Sequence, residues 1–327
     1  MPLLPNELLF LPPLALAAGV DLYLTLFFLG VAPFLGWWPS LPGALGDLRS
    51  AGVLVMVGSF YTVELLTELW PSAALIWNAF HAIIRPLAGA LLALLLLDGQ
   101  PTRTVVAGAV MAGGLAWLSH AVRSGGGVLL WLSPARRPHR LLVALLEDVS
   151  VLGLVVLLLD APRWALLVSL GIMVISLPFA APQVRAFAFA IRLVWARAWR
   201  PLGQPRWDDP ERFPRWVREA LEGDVMAPGG GLRGAPAGGH RIPGAPRFTT
   251  GWIVVRGDTP IFVFRRRRGT QRVDLGRLGA TGVSEAAFFR RVELSGDAPG
   301  SLYFGLDGPG TSSLRAEFQA GAGRQDL

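Results

Sequence analysis

The sequence predicts an all-α polytopic membrane domain of about six transmembrane helices, followed by a small β-rich domain. Three observations predict it. The chain is 52% hydrophobic and 16% charged, whereas soluble domains carry about 25% charged residues. Six apolar segments in its first half approach the length of about 20 residues that spans a bilayer. From Arg247 onward, short strand-like segments alternate with Gly and Asp turns.

The six apolar segments end at prolines, glycines or charged residues, which are typical helix boundaries. The predicted spans are Leu14–Leu35, Ala51–Leu69, Trp77–Leu97, Thr104–Val122, Leu141–Leu159 and Trp164–Phe179. An internal repeat is indicated in two registers. In one, Leu94–Asp98 matches Val156–Asp160 and relates two parallel hairpins. In the other, Ala18-Gly19 matches Ala112-Gly113 and relates two inverted halves, as in some transporters. The sequence does not decide between them.

The chain after the last span divides into three predicted regions. Residues 183–226 are assigned to amphipathic interfacial helices, because Val184–Trp199 mixes Arg with aromatic and aliphatic residues. In the same region, Asp209-Pro210-Glu211 is typical of a helix start. Residues 227–246, rich in Gly and Pro, are a predicted linker. Residues 247–320 form the predicted β domain, with strands at Trp252–Arg256, Ile261–Arg266, Phe288–Leu294 and Ser301–Leu306.

The distribution of arginine predicts the orientation in the membrane. The chain has no Lys; residues 1–180 hold eight Arg and nine acidic residues, and residues 181–327 hold 22 Arg and 14 acidic residues. Arg-rich loops remain in the cytoplasm. With six crossings, both termini are therefore predicted to be cytoplasmic. The absence of Cys excludes disulfides and thiolate metal sites.

Charged and polar side chains inside the apolar segments form the candidate site. A charge near the bilayer centre costs about 2.5–3.5 kcal/mol on insertion scales, so such residues pair or face a wet cavity. Helical spacing predicts the pairs Glu64–Arg85 and Glu68–His81, and pairs His120 and Arg123 with the two acids of the fifth span. Asp21 either caps a broken helix or faces the same cluster. The predicted polar core consists of Asp21, Glu64, Glu68, Asn78, His81, Arg85, His120, Arg123, Glu147 and Asp148.

A second set of residues is predicted to contact anionic lipid head groups of the inner leaflet. It consists of Arg185, Arg192, Arg197, Arg265, Arg266, Arg267 and Arg268. The last four run into Gly269-Thr270 and are predicted to lie at a hairpin tip. A solvated surface is the alternative for them. Nucleic acid is not an expected partner, because no stacking aromatic residues interleave with these arginines.

Four segments of the membrane domain resemble a known family. They are Ala18–Gly30 (AGVDLYLTLFFLG), Val63–Pro71 (VELLTELWP), Ile83–Ala93 (IIRPLAGALLA) and Leu141–Leu154 (LLVALLEDVSVLGL). They resemble the bacterial integral-membrane family called domain of unknown function 4126 (DUF4126), over roughly residues 14–180. The resemblance implies a compact helical membrane domain without an established activity, in the bacterial inner membrane. It places these residues on the family's characteristic positions: Glu64, Arg85, Pro86, Gly89, His120, Glu147 and Asp148.

The predicted function is transport or channel-like passage of a small ion or solute through the polar core. In this interpretation carboxylates bind a cation or proton, Arg residues hold them charged or bind an anion, and His residues relay protons. Charged pairs that only lock helices together are the structural alternative. The other functional alternatives are a non-enzymatic scaffold or lipid sensor, and an intramembrane lipid-modifying enzyme. The sequence favours a non-enzymatic role, identifies no cofactor, and is compatible with a homo-oligomer.

Overall fold

The chain forms two compact units, Met1–Phe187 and Ala188–Leu327. The first is helical and the second contains an antiparallel β-sheet. The computed structural model describes residues 6–38, 40–132, 140–199, 206–221, 231–257, 259–266, 269–276, 280–295 and 300–319.

The helical unit contains five helices that are long and apolar enough to cross a membrane, counted over the described residues. Two shorter apolar helices precede them. The helices are α1 (Asn6–Val20), α2 (Leu22–Phe34), α3 (Ala51–Glu68), α4 (Pro71–Leu96), α5 (Thr102–Leu132), α6 (Arg140–Asp160) and α7 (Pro162–Trp199). Between α2 and α3 lies a 3-10 helix, Gly43–Arg49.

The prediction of one continuous first span is wrong, because the helix breaks at Asp21 into α1 and α2. Asp21 has an extended backbone, and its Oδ1 accepts a hydrogen bond from the Leu24 amide at 2.9 Å. The Thr25 hydroxyl donates to the Asp21 carbonyl at 2.6 Å. Asp21 is therefore the N-cap of α2, the first of the two roles predicted for it, and this cap satisfies an amide that a helix start leaves unpaired.

The other predicted spans coincide with helices, although several helices are longer. Helix α4 begins at Pro71, which is favourable at the first helical position because proline lacks an amide hydrogen. Helix α5 runs ten residues beyond the predicted end at Val122. Helix α7 continues through Val184–Trp199, so the prediction of a separate interfacial helix there is wrong.

The end of α7 is not an unpartnered amphipathic surface. Phe189 and Leu193 are buried, and the Phe189 ring lies 5.9 Å from the ring of Phe248 in the second unit's sheet. A sequence pattern shows that a helix has an apolar face, but not whether protein or lipid covers that face. Here protein covers it within the second unit.

Small residues allow the membrane helices to approach closely. A Cβ at Gly89 of α4 would lie 2.8 Å from the Ala116 Cβ and 2.9 Å from the Ala112 carbonyl oxygen of α5. A Cβ at Gly19 of α1 would overlap the Ser119 hydroxyl. Contacts of this kind are typical of helix pairs in membranes, where packing replaces the hydrophobic effect.

Over its described residues, the second unit contains a seven-stranded antiparallel sheet in the order β4-β3-β2-β1-β7-β6-β5. Its strands are β1 (Leu232–His240), β2 (Phe248–Arg256), β3 (Thr259–Arg266), β4 (Gly269–Asp274), β5 (Ala280–Glu285), β6 (Phe289–Leu294) and β7 (Gly300–Gly305). Two further helices among the described residues are α8 (Arg215–Ala220) and α9 (Thr311–Gln319). The core of the sheet includes Phe262, Phe264, Leu302 and Phe304, and Phe318 of α9 packs into it.

Two predictions for this unit are wrong in their bounds. The β domain begins with β1, inside the predicted linker, and it has seven strands where four were predicted. Glycines of β1 pack against rings: a Cβ at Gly239 would lie 2.9 Å from the Phe262 ring. The predicted helix at Asp209 is also divided, into a 3-10 turn at Pro210–Arg212 and α8, with Pro214 between them.

Candidate functional site: a buried cluster of charged side chains

Glu64 is one of the two most enclosed carboxylates that the structure describes in the helical unit, the other being Asp21. Glu64 lies near the end of α3 and is 2% exposed. Its Oε1 accepts hydrogen bonds from Nη2 of Arg85 on α4 and, at 3.1 Å, from Nη1 of Arg123 on α5. The predicted Glu64–Arg85 pair is confirmed. The second partner, Arg123, was predicted only for the acids of α6.

Arg123 joins three helices through three carboxylates. Besides Glu64, its Nε donates to Glu147 Oε2 of α6 at 2.7 Å, and its Nη2 lies 3.6 Å from Glu68 Oε1. The predicted Arg123–Glu147 pair is therefore confirmed. The carboxylate side chains become more exposed along this chain of contacts, from 3% for Glu64 to 16% for Glu68 and 29% for Glu147. The cluster is therefore most enclosed at Arg85 and most open at Glu68 and Glu147.

Arg85 is fully buried and also holds the end of α1. Its Nη1 donates to the carbonyl oxygen of Gly19 at 2.6 Å and to that of Val20. These are among the last carbonyls of α1, which have no partner within the helix. A cation at a helix C-terminus and an anion at a helix N-terminus are both stabilising. Arg85 at the end of α1 and Asp21 at the start of α2 therefore stabilise the break from both sides.

His81 does not form the predicted pair with Glu68, because other groups use both of its ring nitrogens. Its Nδ1 lies 2.7 Å from the Trp77 carbonyl oxygen, and its Nε2 lies 2.9 Å from the Tyr23 hydroxyl. A carbonyl can only accept, so Nδ1 carries a hydrogen; in the neutral ring Nε2 then accepts from the Tyr23 hydroxyl. The ring also stacks on Trp77 with centroids 4.4 Å apart. The neutral imidazole satisfies all of these contacts.

His120 is likewise held by neutral groups and does not pair with the acids of α6. Its Nε2 lies 3.0 Å from the Asn78 carbonyl oxygen, and its Nδ1 lies 3.3 Å from the Ser124 hydroxyl. The Phe187 ring meets it edge-on at 5.1 Å. The predicted pairing of His120 with Glu147 or Asp148 is wrong because these partners occupy both ring nitrogens.

Asp148 has a phenol as its partner. The Tyr61 hydroxyl donates to Asp148 Oδ2 at 2.9 Å and links α3 to α6. Tyr61 lies one turn before Glu64 on α3, so helical spacing places it beside the cluster. Tyr23 gave no comparable signal, because it stands in an otherwise apolar run two residues after Asp21.

Several buried polar atoms near this cluster have no hydrogen-bond partner among the described residues. In structures of native proteins such atoms are few, and each has a reason such as a bound water or ion. The atoms on residues of the cluster and its immediate neighbours are Glu64 Oε2, Trp77 Nε1, Asn78 Oδ1, Arg85 Nε and Gln183 Oε1. Gln183 approaches the cluster through Gly125 of α5, whose missing side chain admits the Gln183 backbone.

The cluster holds more acids than bases. Its five acids are Asp21, Glu64, Glu68, Glu147 and Asp148, and its permanently charged bases are Arg85 and Arg123. The described hydrogen-bond partners of both histidines are neutral groups. Among the described residues, no group of three or more His, Asp or Glu side chains is arranged to hold a metal ion.

Three of the arginines predicted to contact lipid have contacts with protein groups. Arg192 pairs with Asp307 at 3.6 Å. Arg265 lies 5.7 Å over the Trp216 ring, and Arg266 donates to the Gly244 carbonyl at 2.9 Å. Arg185 is half-buried and Arg197 is exposed, whereas Arg267 and Arg268 lie outside the described residues. Lipid contact by these side chains stays a prediction.

Comparison with known protein families gives one match, over the helical unit. A family model described as "Domain of unknown function (DUF4126)" matches residues 8–180, which is more than half of the chain. All ten residues of the predicted polar core lie inside this match, and the β-sheet unit lies outside it. No curated protein matches the chain.

Proposed function

The chain belongs to the family of domains of unknown function DUF4126, and from this premise we propose that it passes protons or small cations across a membrane through its charge cluster. The helices that the structure describes are those of a membrane protein. The proposal concerns what the cluster formed by α3, α4, α5 and α6 does there.

The excess of carboxylates is the observation that carries the proposal. Arg85 and Arg123 both contact Glu64, so this carboxylate is fully compensated. Arg123, which already contacts Glu64, is also the described counter-ion of Glu147, and the described partner of Asp148 is a neutral phenol. A buried negative charge without a counter-charge is costly, and binding a proton or cation relieves that cost. The same cluster would repel an anion.

Two further features support passage over a purely structural role. The helix break at Asp21 lies beside the cluster, and broken helices next to charged residues are typical of ion sites in transporters. The polar atoms that have no hydrogen-bond partner among the described residues can bind water or a hydrated ion. Interhelical polar contacts contribute only about 0.6–2 kcal/mol in membranes. Packing alone therefore gives little reason for so many charges.

The open end of the cluster suggests its route of access. Glu68 and Glu147 are its most exposed carboxylates, and they lie at the end of the bundle where α3 joins α4. We assign this end to the cytoplasm and the β-sheet unit to the same compartment, because Arg-rich segments remain inside. The membrane is the bacterial inner membrane in this proposal. Anionic lipids and a second copy of the chain are its proposed partners.

Proton and cation flux into liposomes containing the purified protein tests the proposal. The informative variants are Glu68→Gln and Glu147→Gln, which remove a charge at the open end and leave Glu64 with both arginines. Asp98→Asn is the matched control, because Asp98 is an exposed acid outside the cluster. We expect flux in the wild type and in the control, and at least a several-fold loss in both cluster variants.

Three outcomes would contradict the proposal. Absence of flux of H⁺, Na⁺ or K⁺ with folded protein would favour the scaffold or lipid-sensor alternative. Equal flux in the wild type and both cluster variants would show that the ion takes another route. Flux of anions instead of cations would contradict the charge argument.

A further inference from the structure

We infer that α1 and α2 form a re-entrant helical hairpin that enters and leaves the membrane on one face and closes the charge cluster toward that face. Over the residues that the structure describes, neither helix is long enough to cross. Helix α1 has 15 residues and α2 has 13, which correspond to about 22 and 20 Å. The hydrocarbon core is about 30 Å thick.

Helix α1 runs parallel to α5. A Cβ at Gly108, near the start of α5, would lie 3.3 Å from the Leu11 side chain. Further along both helices, Gly19 faces Ala116 and Ser119. Residue numbers therefore rise together along the two helices. Helix α1 therefore runs alongside α5 from the end that holds Gly108 to the depth of Arg85. There the carbonyl oxygens of Gly19 and Val20 accept hydrogen bonds from Arg85.

Helix α2 runs antiparallel to α3. Tyr23 stacks on Phe60 with ring centroids 5.1 Å apart. Farther along α2, a Cβ at Gly30 would lie 2.7 Å from a methyl carbon of Leu54. As numbers rise in α2 they fall in α3, so α2 ascends from the depth of the cluster toward the beginning of α3.

The two helices therefore start and finish at the same end of the bundle. Helices α3 and α5 run in the same direction, since each is antiparallel to α4, and they meet where Glu64 pairs with Arg123. Leu54 precedes Glu64 by about 15 Å, and Gly108 precedes Arg123 by about 22 Å. In one straight helix, Leu11 and Gly30 would lie about 28 Å apart along the axis. In the structure, however, the residues that Leu11 and Gly30 contact, Gly108 and Leu54, lie at the same end of the helix bundle.

The chain leaving α2 stays at that end. The Trp38 indole donates to Asp160 Oδ1, at the end of α6, at 3.1 Å. Gly43 of the following 3-10 helix approaches the Leu95 and Leu96 carbonyls at the end of α4. The α4–α5 connection around Asp98 therefore marks the face on which the hairpin enters and leaves.

The tip of the hairpin can lie within the membrane because side chains of the cluster form hydrogen bonds with the backbone groups at the tip. In hydrocarbon, each unsatisfied amide or carbonyl costs several kcal/mol. Arg85 binds two carbonyls at the end of α1, and Asp21 binds an amide at the start of α2. Replacing a sixth crossing by this hairpin moves the start of α1 from the predicted cytoplasmic face to the opposite one. That the hairpin leaves the cluster open toward the opposite face in this arrangement rests on the proposed function; the hairpin itself does not.

Single-cysteine variants test the hairpin directly, since the natural chain has no Cys. Three variants would be labelled with a membrane-impermeant maleimide in spheroplasts, before and after permeabilisation. Glu7→Cys reports the start of α1, Asp98→Cys marks the face of the α4–α5 connection, and Ser72→Cys marks the opposite face. We expect Glu7→Cys to label under the same condition as Asp98→Cys, with Ser72→Cys labelling under the other.

Labelling of Glu7→Cys together with Ser72→Cys would overturn the hairpin and restore six crossings. A protease-cleavable tag placed before residue 1 gives the same readout if the introduced thiol does not react. Trp37→Cys, beyond α2, must label with Asp98→Cys under either topology and controls for folding. Because none of these readouts measures flux, failure of the hairpin and failure of the proposed passage are distinguishable.

Discussion

Replacing Glu64 by Gln is expected to destabilise the helical unit more than any other single neutralisation in the cluster. Glu64 is the described carboxylate partner of Arg85, and it also binds Arg123. Gln keeps the shape of the side chain and removes its charge. The fully buried Arg85 guanidinium would then have only neutral acceptors among its described partners, the Gln amide oxygen and the carbonyls of Gly19 and Val20.

The size of the effect follows from burial. Breaking a buried ion pair by removing one partner costs about 3–5 kcal/mol, because the remaining charge is left uncompensated. For a unit of this size, that cost lowers the melting temperature by roughly 10 °C. Glu147→Gln is the matched comparison: Glu147 is partly exposed, and Arg123 retains Glu64 and Glu68. Its expected cost is below about 1 kcal/mol.

Thermal unfolding of the purified protein in detergent, followed by tryptophan fluorescence, measures both variants. The double variant Glu64→Leu/Arg85→Met should recover part of the lost stability, since it removes both charges of the pair. Recovery should be incomplete, because Arg123 loses a partner and the α1 carbonyls lose their donor. A melting temperature for Glu64→Gln within 1 °C of the wild type would refute this reasoning about the pair.

Three other predictions concern local features. Asp21→Ala removes the N-cap of α2 and should cost about 1 kcal/mol, seen as a lower melting temperature that Asp21→Ser largely restores. Gly89→Leu should reduce the yield of folded protein because α4 and α5 touch there, whereas Gly114→Leu, with open space around it, should not. Burial and nearby arginines lower the pKa of His240 to about 4. Between pH 6.5 and 4 the unfolded chain therefore binds more protons than the folded chain. The stability of the sheet should decrease as the pH is lowered through this range. Hydrogen exchange of β1 should lose this trend in His240→Gln, and a trend equal to the wild type would assign it to another group.

The membrane helices with local boundary signals could be predicted from the sequence. Trp70-Pro71 ends α3 and starts α4, so the antiparallel hairpin and its Glu64–Arg85 pair followed from helical spacing. The pair links residues 21 positions apart across one short connection. Helical periodicity describes such neighbours well, because the turn fixes which faces meet.

The break at Asp21 could not be predicted with the same certainty, because its stabilising partner is distant in sequence. The run around Asp21 is apolar on both sides and is long enough to span a membrane. What favours the break is Arg85, which binds the Val20 carbonyl from 65 positions away. The contacts of Arg123 with α3 could not be predicted for the same reason: they join residues distant in sequence and form only when three helices have assembled.

Strand β1 was misinterpreted for a different reason. Gly and Pro usually mark turns and linkers, because they weaken regular structure. In β1, Gly238 and Gly239 leave room for the rings of Phe189 and Phe262. The low strand preference of these glycines is outweighed by packing that they alone permit, and that packing involves residues far along the chain.

The double role of Arg85 determines which variants can inform on function. The same guanidinium compensates Glu64 and holds the tip of the α1–α2 hairpin. Any substitution of Arg85 therefore disturbs the helix break, the ion pair and the depth of the tip together. The described ion pair of Glu147 is with Arg123, and Glu147 is partly exposed, so its neutralisation changes charge with little change in packing. Flux lost in Glu147→Gln at an unchanged melting temperature is evidence about passage, whereas flux lost in Arg85→Ala reports on the fold.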